Sequence, residues 1–193
     1  MNIELDREFI AEKFPQKWAL IKVESDRGAV LVAGSMIEES LKNLLIAKLA
    51  PSSKNDDPLF NGGNAPLGTF SARIEMSYRL GLITVETKDL LSIFKSLRND
   101  FAHKVEVDSF EIPKVKDKIV SLIAKHHKVK AAFEEYAVQS IIKEQNLKLE
   151  NARKYYKETW SLRMMFNIFF ANTISVLESL AHQQIQIDTL LEG

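Results

Sequence analysis

Apolar residues recur along this chain at intervals of three and four, and the pattern predicts helices from one end to the other. Residues 4–14 read as a short helix that Pro15 ends. A long helix is expected over about 17–50, where the run Ala29–Ala33 continues as Ile37, Leu41, Leu44, Leu45 and Leu49 before Pro51 stops it. Residues 51–69 lose the periodicity and hold three of the five prolines and three of the seven glycines, as a functional or mobile loop would. Thr69 is placed to cap a helix over Phe70–Leu80 that Gly81 closes. Thr84 or Thr87 caps the next, which runs to about Lys104. After a connection over 105–112, Pro113 suits the first turn of a helix over about 113–127. Ala131–Leu149 and Ala152–Ile187 contain neither glycine nor proline. The expected fold is an all-α helical bundle over residues 1–127, with a helical C-terminal extension, 128–193, for oligomerisation or partner binding.

Composition narrows the function classes. Hydrophobic residues make up 46% of the chain and charged residues 27%, the profile of a globular protein. Basic and acidic residues balance at 26 each, so no global charge draws the chain to nucleic acid or membrane. The absence of cysteine removes disulfides, thiolate chemistry and Cys-ligated zinc. The acidic start Met1–Asp6 lacks the apolar core of a signal peptide. The greasiest stretch, Met164–Leu177, carries Asn167, Asn172, Thr173 and Ser175 and reads as a buried core helix rather than a membrane span. A cytoplasmic location is expected, and no cofactor or metal is called for.

The stretch Arg98-Asn99-Asp100-Phe101-Ala102-His103 is where chemistry is most concentrated. On an ideal helix Leu90, Ile93, Phe94, Leu97 and Phe101 fall within an arc of about 100° and form the core stripe. Ser92, Ser96, Asn99 and His103 take the opposite face. Arg98 lies on the flank, about 140° from His103. Arginine offers a planar fork of donors for phosphate, and histidine titrates near neutrality as a general base or acid. A solvated face, or a contact face for another helix, is the plainer reading of the same residues. Arg27, Arg73, Arg98 and His103 would form an anion-binding pocket if their helices meet. Asp26, Glu75 and Asp100 would equally tie those cations into ion pairs. Six lysines between Ile112 and Lys130, against Asp117 alone, make a local basic bias; without arginine or aromatic residues it reads as a solvated face.

Arg98 followed by His103 resembles the R-x4-H signature of HEPN domains, many of which are metal-independent ribonucleases acting as dimers. That resemblance implies His103 activating a ribose 2′-hydroxyl, Arg98 stabilising phosphate charge, and Asn99 beside them. A wider resemblance runs through Glu24-Ser25-Asp26-Arg27-Gly28, Leu59-Phe60-Asn61-Gly62, Ala65–Ile74, Leu80-Gly81-Leu82-Ile83 and Arg98–His103, in that order. Together these are similar to the mannitol operon repressor family, over roughly residues 20–125. The likeness implies a helical transcription-regulator-like protein without a helix-turn-helix that works through a protein partner. A homodimer is expected, with Asp26, Arg27, Arg73 and Asp100 as binding residues. RNA is the partner under the nuclease alternative.

Overall fold

The computed structural model describes residues 5–125, 134, 138, 139, 141–143, 145–159 and 161–185. The described chain is all helical: α1 (Arg7–Lys22), α2 (Asp26–Lys48), α3 (Phe70–Arg79), α4 (Val85–His103), α5 (Pro113–Lys125), α6 (Leu149–Thr159) and α7 (Leu162–His182).

Local chemistry accounts for most boundaries. Side-chain oxygens of Asp6, Ser25, Thr69, Thr84 and Ser161 each accept a backbone N–H two or three positions into the helix they open, satisfying a donor that no turn precedes. Gly81, at φ 70°, takes the left-handed conformation that closes α3. Pro113 is the first residue of α5. The N-terminal region departs from the sequence expectation. Pro15 lies inside α1, and the break falls at residues 23–25. Proline costs α1 one hydrogen bond without stopping it, whereas the Ser25 hydroxyl offers a competing partner to the Gly28 N–H and starts a new helix.

Helix α2 is the axis of the bundle. It packs against α1, α3, α4 and α7, and α7 packs along both α1 and α2. Ala29, Val30, Ala33, Ile37, Leu41, Leu44 and Leu45 of α2 are buried together with Phe94, Leu97 and Phe101 of α4 and Phe166, Phe170 and Ile174 of α7. An aromatic stack runs through this core. The Phe94 and Phe170 rings lie 4.2 Å apart, Phe166 and Phe170 4.5 Å, and Phe110 and Phe166 4.9 Å. Helix α7, from beyond residue 127, supplies a wall of this core. Helix α7 has the length and mean hydropathy (1.3) of a membrane span, but its apolar face is spent on the bundle.

Residues around α6 form a satellite cluster in which Val138, Ala152 and Tyr156 are buried against Ile141, Ile142 and Leu147. Burial, with Glu134 nearby, pushes the Tyr156 phenol above its ordinary value. The Pro- and Gly-rich loop 51–69 is anchored by its own apolar residues. Phe60 and Leu67 are buried, and the Leu67 N–H donates to the Leu59 carbonyl at 2.7 Å.

Candidate functional site

Arg27, Gly34 and Glu38 fall on one face of α2, about two turns and then one turn apart. That face meets the C-terminal half of α4, and the singled-out residues are distributed along the seam. Arg27 donates to the Phe101 carbonyl, to Lys104 at 3.1 Å and to Val105 at 2.8 Å. These carbonyls sit at the C-terminal end of α4, where helix acceptors are left over and the macrodipole favours a cation.

Arg98 runs across α2 where Gly34 leaves room. A Cβ at position 34 would stand 3.0 Å from the Arg98 Cγ. The guanidinium then reaches Glu38 at 2.8 Å and the Asn99 amide oxygen at 3.2 Å. Arg73 completes the row from α3. It donates to the Leu67 carbonyl at 2.9 Å and the Glu38 carbonyl at 3.0 Å, with its guanidinium 6.0 Å from the Phe60 ring centre. Residue 38 thus holds two arginines, one by its carboxylate and one by its main chain.

The acids have other partners than these arginines. Asp26 accepts from Arg163 at 2.7 Å and from the Phe110 N–H at 2.7 Å. Arg163 also donates to the carbonyls of Ile21 at 3.0 Å and Glu24 at 2.7 Å, and to Asn167 at 2.8 Å. Arg163 therefore joins the start of α7 to the α1–α2 turn. Asp100 sits between Lys104 at 2.6 Å and Lys118 at 2.7 Å. Hydrogen bonds from Lys104 and Lys118 hold its carboxyl below the usual 3.8, and Lys104 is raised in return. Glu75 pairs with Lys88 at 2.7 Å.

The structure consequently brings Arg27, Arg73 and Arg98 to one seam but spends their donors on main-chain carbonyls, Asn99 and Glu38. Asn99 and His103 are exposed, on the polar face of α4 that the helical wheel predicts. Arg98 turns towards α2, so its guanidinium is not directed at His103. Glu38 and Arg163 were missed by sequence reasoning. Each stands on a largely apolar helix, and its partner lies 60 or 137 positions away. Part of the lysine bias turns inward, since Lys118 donates to Asp100 and to Ser96 at 3.1 Å. His126, His127, Lys128 and Lys130 lie outside the described residues, as does Trp160. Among the described residues no group of three His, Asp or Glu is arranged to hold a metal ion.

The chain matches no family model and no curated protein. Among solved structures it is similar to a chain of the MtlR–HPr complex from Escherichia coli. The superposition gives a TM-score of 0.55 over 87% of this chain and 99% of that chain, at 15% identity. The fold is therefore MtlR-like.

Proposed function

We propose that the chain is a regulator that acts by binding a protein partner, as a cytoplasmic homodimer, rather than by catalysis. The observation that carries this reading is the state of Arg98. Its guanidinium fork is occupied by Glu38 and Asn99, so phosphate would have to displace a carboxylate to reach it. Arg27 and Arg73 are committed in the same way to main-chain carbonyls. A protein of the same fold assembles with HPr, which supports partner binding as a use of this architecture. The exposed polar face of α4 with Asn99 and His103 is the candidate contact surface.

The exposure of His103 favours one alternative, the metal-independent endoribonuclease. It requires Arg98 to leave Glu38, or a second copy to bring its own arginine to His103. One experiment separates the two. Purified protein is incubated with RNA in EDTA, alongside His103→Ala and Arg98→Ala. Partner binding predicts intact RNA in every lane. Cleavage that both substitutions abolish would overturn it in favour of the nuclease. In parallel, calorimetric titration with HPr from the same organism, and affinity capture with His103→Ala as control, test for a partner of this face.

A further inference from the structure

The connection from α4 to α5 is held at both ends by the start of α2. Arg27 donates to the carbonyls of Lys104 and Val105, and the Asp26 carboxylate accepts the Phe110 N–H at 2.7 Å. Between this connection, the end of α4 and the first turns of α5 lies a pocket of about 50 Å³. One water needs about 10–15 Å³ of such space, so the pocket holds about three or four, the size of a small organic acid. With its walls fastened in this way, it is formed before any ligand arrives.

The lining has two parts. Leu97, Val107, Ile112 and Val115 are apolar, and the full burial of Leu97 and near-full burial of Val115 make this part the floor. Lys104, Lys114 and Lys118 surround the rest with Asp100, and the half-exposed Lys104 side chain marks the mouth. Three cations thus face one anion. Asp100 accepts one N–H from Lys104 at 2.6 Å and one from Lys118 at 2.7 Å, and Ser96 accepts another from Lys118 at 3.1 Å. An ammonium group has three donors, so Lys104 keeps two and Lys118 keeps one. Lys114 is exposed, and no carboxylate pairs with it among the described residues. Glu106, which acts on Lys104 through its charge, is exposed and does not line the pocket.

The two parts together select the ligand. Surplus positive charge at the mouth calls for an anion, and an apolar floor calls for a ligand whose far end is uncharged. Phosphate and sulfate carry oxygens on every side and would lose water from one of them against the floor. The side chain of a glutamate or aspartate from another protein would arrive charge first and meet the same cost. A free aliphatic acid enters tail first and leaves its carboxylate among the lysines.

We infer that the α4–α5 pocket binds a short aliphatic monocarboxylate of about two to four carbons. Its alkyl end rests on Leu97, Ile112 and Val115, and its carboxylate lies between Lys104, Lys114 and Lys118. The inference is independent of the partner-binding reading.

NMR titration of the full chain with formate, acetate, propionate and butyrate at constant ionic strength tests it. Saturable shifts are expected at Leu97, Val107, Ile112 and Val115. Affinity should rise about fourfold with each added methylene until the floor is filled. Lys114→Gln is expected to weaken propionate binding about threefold. Val107→Thr keeps the shape of the floor but adds a hydroxyl, and should weaken propionate binding while leaving formate unaffected. The dispersion of the amide spectrum confirms that each variant is folded. Affinity indifferent to chain length, inorganic phosphate shifting the same residues as tightly as propionate, or propionate binding unchanged in Lys114→Gln would overturn the inference. So would shifts that do not saturate below about 100 mM.

Discussion

Gly34 and Arg98 are coupled by space. Replacing glycine with alanine inside a helix favours folding by about 1 kcal/mol through chain entropy. At position 34 the new methyl group crowds the Arg98 stem, which must shift and strain its contact with Glu38. Gly34→Ala is therefore expected to be close to neutral alone, and to stabilise by about 1 kcal/mol in an Arg98→Ala background. Urea denaturation of the four proteins of this double-mutant cycle reads the difference, and additive effects would contradict the coupling. Asp100 gives a pH signature. A carboxyl whose folded value is depressed contributes stability above its unfolded value near 3.8, and that contribution is lost as pH falls through the folded value. The Lys104 side of the pair behaves oppositely, its contribution being lost as pH rises above 10.5. Asp100→Asn is expected to flatten the acid limb of a plot of urea midpoint against pH below about 4. An unchanged limb would assign it to other carboxylates.

Helix α1 shows how a rule of sequence reading is overridden. Proline in a helix interior usually kinks or breaks it, and Pro15 supports the expectation of a stop. Yet α1 lies against α7 through Phe9 stacked on His182 and Lys17 paired with Glu178 at 2.5 Å. These contacts flank Pro15 and hold the helix on both sides of it. The exposed Pro15 leaves the Ala11 carbonyl without its helical donor, so Pro15→Ala is expected to raise stability by about 1 kcal/mol or more, measured as thermal midpoint. A lower midpoint would mean that the ring itself packs. The elements foreseen correctly are those whose signals are local. Thr69 and Thr84 cap, Gly81 turns and Pro113 initiates within four residues of the bonds they make. The seam between α2 and α4 was not foreseeable in this way. The helical wheel puts Asn99 and His103 on the exposed face, but nothing near Arg98 in the sequence points to Glu38, and nothing near Asp26 points to Arg163.

At the scale of the molecule, the division of labour between the two halves of the sequence differs from its apparent organisation. The motifs cluster before residue 127, yet Phe166, Phe170 and Ile174 of α7 complete the core those motifs surround. A chain ended at residue 127 would expose Phe94 and Phe110, along with the faces of α1 and α2 that α7 covers. Losing a single buried phenylalanine costs about 3–5 kcal/mol, and typical stabilities are about 5–15 kcal/mol. Residues 1–127 alone are accordingly expected to show no cooperative thermal transition by calorimetry, and a sharp one would restore them as an independent domain. The all-helical class was readable throughout because periodicity is a property of every segment. The completion of the core by α7 was not, since periodicity says which face is buried but not what buries it.

Arg27 and Arg73 bond to main-chain carbonyls, at residues 101, 104 and 105 and at 38 and 67, and Arg163 gives half of its bonds to those of 21 and 24. A carbonyl is present whatever side chain the residue bears. The donor positions are thus intolerant of substitution, while surface acceptors such as Glu24 and Val105 are free to drift. A bundle fastened in this manner keeps its geometry through extensive sequence turnover.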